Sequence, residues 1–159
     1  EGSEGLIALP HLCGTVMPEN QSNAKGVFFG VELKHTRAHF ARAIMESVAY
    51  MIREYVEYMG LSLDEIRSMG GGAKSKLWCE IIANIMNVTV DKVACEEGPG
   101  YGAAILAAVG CGEFATVEEA ADKLVEVTES IEPTKEIAEK YEVLYQKFRT
   151  LYPALKDVF

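Results

Sequence analysis

The sequence has few of the residues that build disulfide frameworks, zinc sites or membrane spans. Its four cysteines, Cys13, Cys79, Cys95 and Cys111, lie far apart and form no C-x-x-C pair, which excludes zinc-ribbon spacing and a recognisable secreted disulfide framework. No apolar run reaches the roughly 18 residues that cross a bilayer, and the first residues lack the basic start and apolar region of a signal peptide. These absences predict a cytoplasmic chain with reduced cysteines. The missing initiator methionine suggests a piece of a longer polypeptide.

Positive charge is also scarce. The 159 residues include 15 basic and 24 acidic side chains, which gives a formal net charge of −9. No basic run is present that could attract nucleic acid or an anionic membrane, so neither partner is expected. A hydrophobic content of 49% is enough for one domain with a real core, whereas the length is short for two domains. We therefore expect one domain.

The stretch that stands out is Gly70–Trp78, which contains three successive glycines and two lysines. It follows a short apolar run at 66–69, which predicts a strand, and precedes a helical pattern from Ser75 to about Asn87. Glycines let a backbone approach an anion, and the following helix presents unpaired N–H groups at its positive end. Ser75 suits the N-cap, and Lys74 or Lys76 could add positive charge. Two interpretations stay open, a phosphate-binding loop and a plain tight turn.

Two better-known phosphate loops do not fit the sequence. A P-loop needs glycine directly before Lys-Ser or Lys-Thr, and Ala73 occupies that place. The glycines of Gly98–Gly102 alternate, whereas a dinucleotide fingerprint needs G-x-G-x-x-G. Neither motif therefore explains the glycine-rich stretches.

Strand and helix patterns alternate along the rest of the chain. Strands are predicted at 5–12, at 27–33 with an interruption at Gly30, and at 88–94; helices at 36–59, 100–109, 116–125 and 133–153; a loop at 14–26; and one helical turn at 62–65. The last helix has an apolar and aromatic stripe that predicts core packing: Ile137, Tyr141, Leu144, Phe148 and Leu151. This alternation predicts an α/β layered domain, with the glycine-rich stretch at the carboxyl end of a strand, where such sheets bind ligands.

The helix at 36–59 is amphipathic. Its apolar positions step by three or four residues: Phe40, Ile44, Val48, Met51, Tyr55 and Met59. Arg42 and Glu46 lie on another face and are four residues apart, so the spacing predicts a solvated surface ion pair. His35 and His39 have the same separation, but no third ligand accompanies them, so the sequence does not favour a metal site.

Several of these motifs occur in an order and spacing that resemble the FGGY carbohydrate kinases, and within them the xylulose kinases. They are Gly14 with Pro18, Asn23–Gly30, Arg42-Ala43 with Glu46, Gly70–Trp78, and Gly98-Pro99 with Gly102-Ala103-Ala104. The resemblance covers nearly the whole chain. It implies the carboxy-terminal part of a kinase built from two actin-like, ribonuclease-H-type domains, with a layered sheet and flanking helices. In this chain, 1–35 would be a strand and loop entry, and 36–159 the α/β core and terminal helices.

The resemblance also implies which residues meet the ligand. MgATP and a sugar would bind between the two domains, and Gly71, Gly72 and Ala73 would line the ATP site, with Lys76 nearby. Gly102–Ala104 would support the same wall, while Arg42 and Glu46 would be framework of the long helix. ATP and Mg²⁺ are therefore the implied cofactors, ATP or ADP and a sugar the implied partners, and a homodimer is left open.

The catalytic base of the family is an Asp in a segment amino-terminal to this chain, and most sugar contacts lie there too. No catalytic residue or metal ligand is therefore assigned here, and the isolated chain is not expected to be a competent kinase. The sugar is the weakest assignment, because Thr15-Val16 stands where many xylulose kinases have Glu-Arg; Asn84 and Gly100-Tyr101 also depart from the usual pattern. D-xylulose is favoured, with glycerol, a sugar acid or a deoxysugar as alternatives. A non-catalytic nucleotide-binding or oligomerisation module is the alternative from another class.

Overall fold

Strands and helices alternate along the chain after an amino-terminal hairpin. The computed structural model describes residues 1–16 and 20–159. The helices are α1 (Arg37–Tyr58), α2 (Lys76–Met86), α3 (Gly98–Gly110), α4 (Val117–Leu124) and α5 (Lys135–Leu155). The strands are β1 (Ile7–Leu9), β2 (Val27–Phe29), β3 (Glu65–Ser68), β4 (Thr89–Val93) and β5 (Val127–Ile131). Short 3₁₀ turns occupy Gly2–Gly5, Gly72–Lys74 and Lys156–Val158.

The strands form two sheets. β1 and β2 pair antiparallel as a hairpin. The second sheet has the order β3-β4-β5, in which β3 is parallel to β4 and β5 is antiparallel to β4. The β3–α2–β4 unit is the crossover expected of an α/β domain. It places the glycine-rich stretch at the carboxyl end of β3, as predicted.

The main core lies between the sheets and helices α1, α2 and α5. It includes Ile7, Leu9, Ala49, Tyr50, Ile81, Ile85, Val90, Tyr145, Phe148 and Leu151, all buried. The aromatic stripe predicted in the last helix is confirmed as core, because Tyr141, Phe148 and Leu151 are all buried. In the described part of the chain, no helix is both long and apolar enough to cross a membrane.

The prediction for the faces of α1 is wrong. The helix buries Ala43, Glu46, Ser47, Ala49 and Tyr50, whereas the predicted apolar stripe is half-buried or exposed. Small residues on the buried face let α1 approach its neighbours closely. Glu46, the charged residue on that face, accepts hydrogen bonds from partners that the helix pattern does not reveal. Tertiary pairing has therefore overridden the helical hydrophobic pattern.

Three further predictions differ from the structure. The helical turn expected at 62–65 is absent, because Glu65 begins β3 and pairs with Thr89 of β4. Pro153 was expected to end the last helix, but α5 continues through it to Leu155, so one backbone hydrogen bond of the last turn is missing. The strand expected at 27–33 ends at Phe29, because Gly30 adopts a left-handed φ of +80°.

Strand β5 was not predicted. Its sequence, Val-Thr-Glu-Ser-Ile, has three polar residues in the middle and only Ile131 is buried. It lies at the edge of the sheet, where one side of a strand remains open to solvent. An edge strand of this kind lacks the apolar run or strict alternation that sequence patterns detect.

Candidate functional site

The glycine turn, Gly70–Ser75, connects β3 to α2. Gly70 adopts a φ of +76°, a conformation that favours glycine, and turns the chain away from the sheet. One 3₁₀ turn follows, in which the Lys74 N–H donates to the Gly71 carbonyl at 3.3 Å and the Ser75 N–H donates to the Gly72 carbonyl at 3.1 Å. Ala73 is buried, whereas Gly71 and Gly72 are exposed. The turn therefore presents bare backbone to solvent at the end of a strand.

Ser75 is the N-cap of α2, as predicted. Its Oγ accepts a hydrogen bond from the Trp78 N–H at 3.3 Å. The N–H groups of Lys76 and Leu77 belong to the first helical turn and have no acceptor within the helix. They lie at the positive end of the helix dipole, next to the exposed glycines. This combination of open backbone and helix start suits an anionic ligand.

The three glycines of the turn have different local surroundings. Gly70 needs its positive φ. A Cβ on Gly72 would lie 3.1 Å from Cδ1 and Nε1 of Trp78, so the indole packs where a side chain would be. Gly71 has an ordinary helical φ of −61°, and a Cβ there would meet no atom of this chain within 4 Å. The fold therefore explains two of the glycines and leaves Gly71 without a structural reason.

Lys74 in the turn and Lys76 at the start of α2 have different surroundings. Lys74 Nζ forms an exposed ion pair with Glu96 Oε2 at 2.7 Å, across a cavity of about 240 Å³ that Gly70, Ala73, Lys92 and Thr128 also line. Lys76 lines a separate cavity of about 400 Å³, with Glu80 and Glu129 among the other lining residues. The structure thus brings Gly71, Gly72 and Ala73 into one turn, while the side chain of Lys76 lies outside it. A role for Lys76 in ATP binding stays a prediction.

The Glu46 cluster, formed by Glu46, Arg42, Tyr141, Gly2 and Ser3, corrects the prediction of a solvated surface ion pair. Glu46 is only 2% exposed. Its Oε1 accepts hydrogen bonds from Arg42 Nε at 2.8 Å, the Tyr141 hydroxyl at 2.7 Å and the Gly2 N–H at 2.9 Å, and its Oε2 accepts from Ser3 Oγ at 2.8 Å. Four donors around one buried carboxylate make this a structural cluster.

The partners of Glu46 could not be found from the sequence, apart from Arg42. Tyr141 lies 95 residues away and Gly2 lies 44 residues away. Burial, and then the hydrogen bond to Glu46, raise the pKa of the Tyr141 phenol above its ordinary value. The cluster therefore joins the amino-terminal turn, α1 and α5, consistent with the framework role that the resemblance implied.

The histidine pair has a structural explanation in the backbone. The ring centroids of His35 and His39 are 5.5 Å apart. Nδ1 of His35 accepts from the Glu32 N–H, and Nδ1 of His39 accepts from the N–H of Thr36, the N-cap of α1. Over residues 1–16 and 20–159, no group of three or more His, Cys, Asp or Glu side chains could hold a metal ion.

Two other motifs that carry the resemblance are Gly102–Ala104 and Pro18. Gly102 lies in the first half of α3 and Tyr101 donates to the Leu124 carbonyl at 2.5 Å, which holds α3 to α4. Contact of Gly102–Ala104 with ATP stays a prediction. Pro18 lies outside the described residues.

Comparison with known proteins decides the family. Residues 2–111 match the model of the FGGY family of carbohydrate kinases, C-terminal domain. The chain belongs to the FGGY family. This FGGY domain is 38% identical to the xylulose kinase of Staphylococcus epidermidis over 99% of its own length. Glycerol and gluconate kinases are also among its matches.

Solved structures agree with this assignment. The xylulose kinase of Rhodospirillum rubrum superposes on 99% of the FGGY domain with a TM-score of 0.84 and 33% identity. The glycerol kinase of Plasmodium falciparum, solved with ADP, superposes with a TM-score of 0.74 over 94% of the domain at 23% identity, which supports the fold. The predicted actin-like α/β architecture is thus confirmed. The chain spans about a third of the length of the curated relatives it matches, 32% of the first.

Proposed function

We propose that this chain is the nucleotide-binding part of an ATP-dependent sugar kinase that transfers the γ-phosphoryl group of ATP to D-xylulose, forming xylulose 5-phosphate. The similarity to xylulose kinases from several bacteria supports the sugar. Gly71 is the observation that carries the nucleotide assignment, because the chain itself gives no reason for a glycine there. A ligand that lies directly against the backbone would supply that reason.

In this proposal, the ATP phosphates lie against the backbone of Gly71, Gly72 and Ala73 and face the first N–H groups of α2. These groups are fixed before the ligand arrives, since Ser75 caps the helix and Trp78 packs over Gly72. Preorganised donors stabilise negative charge without paying for rearrangement. Lys74 would exchange its exposed ion pair with Glu96 for the ligand's negative charge.

Residues 1–16 and 20–159 offer no ready site for magnesium. The described residues contain no cluster of three or more candidate side chains. Proteins that bind MgATP commonly use only one or two carboxylates, with the phosphates and water completing the coordination. We therefore assign no Mg²⁺ ligand to this chain. The carboxylates, the catalytic base and most sugar contacts would belong to the amino-terminal part of the kinase.

A second candidate keeps the chemistry and changes the sugar. The glycerol kinase of Saccharolobus islandicus is 33% identical over 75% of this chain, and gluconate kinase from Lactobacillus acidophilus superposes with a TM-score of 0.87. Activity of the complete polypeptide on D-xylulose, glycerol and gluconate decides between these acceptors. The purified 159-residue chain alone should phosphorylate none of them above blank.

The nucleotide assignment is tested by calorimetric titration of ADP into the wild-type chain and into Gly71→Asp. The Cβ of an Asp at Gly71 would meet no atom of the domain within 4 Å, so the fold should be retained, but its carboxylate would repel the phosphates. Gly110→Asp is the matched control, because Gly110 is exposed and its added Cβ also meets open space. We expect heat from wild type and Gly110→Asp and much less from Gly71→Asp. Equal heats from all three would remove the site from the glycine turn.

A further inference from the structure

The side chain of Trp78 lies between the core and the glycine turn. Trp78 is the single tryptophan of the chain and belongs to the first turn of α2, and it packs at the margin of the main core. Helical side chains point back toward the amino terminus, which directs this indole toward the residues before α2. A Cβ on Gly72 would lie 3.1 Å from two indole atoms, Cδ1 and Nε1. The edge of the indole that carries its N–H is therefore the edge beside the turn.

The indole N–H of Trp78 has no acceptor in the part of the chain that the structure describes. The backbone N–H of this residue donates to Ser75 Oγ, but among residues 1–16 and 20–159 no group accepts from Nε1. Nε1 is not one of the fully buried polar atoms without a partner, so it is open to solvent. An indole nitrogen donates and does not accept, and tryptophan N–H groups inside proteins usually have a partner. This donor is therefore available to a ligand.

The surface around this N–H offers mainly donors. The carbonyls of Gly71 and Gly72 already accept hydrogen bonds within the turn. The N–H groups of Lys76 and Leu77 have no acceptor within α2, and the first turn of this helix contains no acidic residue. A neutral indole donor next to these backbone donors suits an oxygen that carries negative charge.

Packing alone does not explain a tryptophan at this position. A phenylalanine ring could also cover Gly72 and reach the margin of the core, but it would bring no donor to the turn. The indole is held in place on two sides, by the core and by the glycine turn, before any ligand arrives. Its N–H is therefore a preorganised donor, and binding a ligand there does not require the side chain to be ordered first.

We propose that the Nε1–H of Trp78 donates a hydrogen bond to a phosphate oxygen of the nucleotide bound at the glycine turn. This inference rests on the nucleotide-binding function proposed above and adds a side chain to a site that otherwise consists of backbone. It also gives the bare backbone of Gly72 a second consequence. A methyl group there would push the indole away from the turn and carry the donor away from the ligand.

The indole resonance of the ¹⁵N-labelled chain tests the contact. One tryptophan gives one indole N–H signal, which needs no further assignment. During titration with ADP, we expect this signal to shift and to saturate at the same ADP concentration as the amides of Gly71 and Gly72. Shifts of the turn amides with a constant indole signal would overturn this inference and leave the nucleotide site intact. No shift at either place would overturn both.

Removing the donor while keeping the ring separates binding from packing. Trp78→Phe lacks the N–H, and replacement of the single tryptophan by 3-benzothienylalanine puts sulfur in place of the N–H with almost the same shape. We expect calorimetry to show ADP affinity reduced about three- to tenfold in both proteins, the effect of one lost hydrogen bond. The benzothienyl protein should unfold near the wild-type temperature.

Tyr58→Phe is the matched control, because it removes a donor from an exposed aromatic ring at the end of α1. It should bind ADP with wild-type affinity. Wild-type affinity of the benzothienyl protein would overturn the inference and assign Trp78 a packing role only. A loss of affinity in Trp78→Phe alone would lead to the same conclusion, since that variant also changes the size of the ring.

Discussion

The glycine turn and the Glu46 cluster are both built on short sequence motifs, yet they are organised in opposite ways. Apart from the exposed Lys74–Glu96 ion pair, the hydrogen bonds of the glycine turn connect residues at most six positions apart. In the Glu46 cluster, apart from the Arg42–Glu46 bond, they connect residues 43 to 99 positions apart. The turn leaves its backbone exposed, whereas the cluster surrounds a carboxylate that is 2% exposed. The first is suited to receive a ligand and the second to hold elements together.

This difference has an energetic basis. An exposed N–H group is hydrated when no ligand is present, so leaving it unpaired within the protein has little cost. A buried carboxylate must have its hydrogen-bond donors inside the protein, and removing either side leaves polar groups without partners. Substitution of the exposed Gly71 should therefore change binding, and substitutions in the cluster should change stability.

The largest effect is expected from Glu46→Ala. It leaves Arg42, the Tyr141 hydroxyl and the Gly2 N–H without their shared acceptor, so the free energy of unfolding should fall by about 3 kcal/mol. Urea unfolding measures it. Lys123→Ala, which breaks an exposed ion pair with Glu119 four residues away, is the control and should leave the midpoint unchanged. A loss for Glu46→Ala as small as that of the control would make the cluster a surface feature after all.

Alkaline pH should also lower the free energy of unfolding. Burial raises the pKa of Tyr50, Tyr141 and Tyr145 above the ordinary value, and the carboxylates of Glu46 and Glu57 add to this effect. Below about pH 10, each tyrosine is protonated in both the folded and unfolded states, so stability is unaffected. Above that pH, the unfolded chain releases protons that the folded chain keeps, so stability falls by up to about 1.4 kcal/mol per pH unit for each tyrosine.

Urea unfolding at successive pH values from 9 to 11 measures this loss. The Tyr141→Phe variant has one such phenol fewer, so its stability should decline less steeply with pH than that of wild type. An identical slope for both proteins would show that Tyr141 does not titrate differently on folding.

Gly70→Ala and Gly71→Ala separate the roles of adjacent glycines. Ala at Gly70 must adopt a φ of +76°, which should cost about 1–2 kcal/mol of stability. Ala at Gly71 has a favourable φ of −61° and open space around its methyl group, so stability should change by less than about 0.5 kcal/mol. Thermal unfolding of both variants measures this. A similar loss at both positions would mean that Gly71 is also required by the fold.

A modest loss of stability is expected from Ser75→Ala, which removes the acceptor of the Trp78 N–H at the start of α2. Loss of an N-cap of this kind typically costs about 1 kcal/mol. Ser75→Thr keeps the hydroxyl and should recover most of the loss in thermal unfolding. If Thr is no better than Ala, the cap contributes little and the order of α2 has another origin.

The same local and long-range distinction explains what could be predicted from the sequence. The strand, glycine turn and helix from Ile66 to Asn87 were predicted correctly, because the apolar period and the Ser75 cap are local signals. The enclosure of Glu46 was not, because Tyr141 is distant in the sequence and Gly2 has no side chain to suggest a partner. The structural reasons for Gly70 and Gly72 could not be predicted either, because residue spacing reveals neither a backbone φ nor the position of the Trp78 side chain.

The faces of α1 show a second limit. The apolar stripe of that helix marks a face suited to burial, yet the domain buries the side with Ala43 and Ala49. A periodic pattern shows that a face is suited to burial, but it does not show whether the partner lies in the same segment of the chain.

The central claim, that the glycine turn binds the nucleotide through its backbone, is tested most directly by following amide resonances of the ¹⁵N-labelled chain during titration with ADP. NMR shifts report weak binding residue by residue, which suits a domain that provides only part of a cleft. We expect the largest shifts at the amides of Gly71, Gly72, Ala73, Lys76 and Leu77, with Gly2 and Ser3 of the Glu46 cluster unchanged. Saturable shifts elsewhere in the domain, with none in residues 70–77, would contradict it.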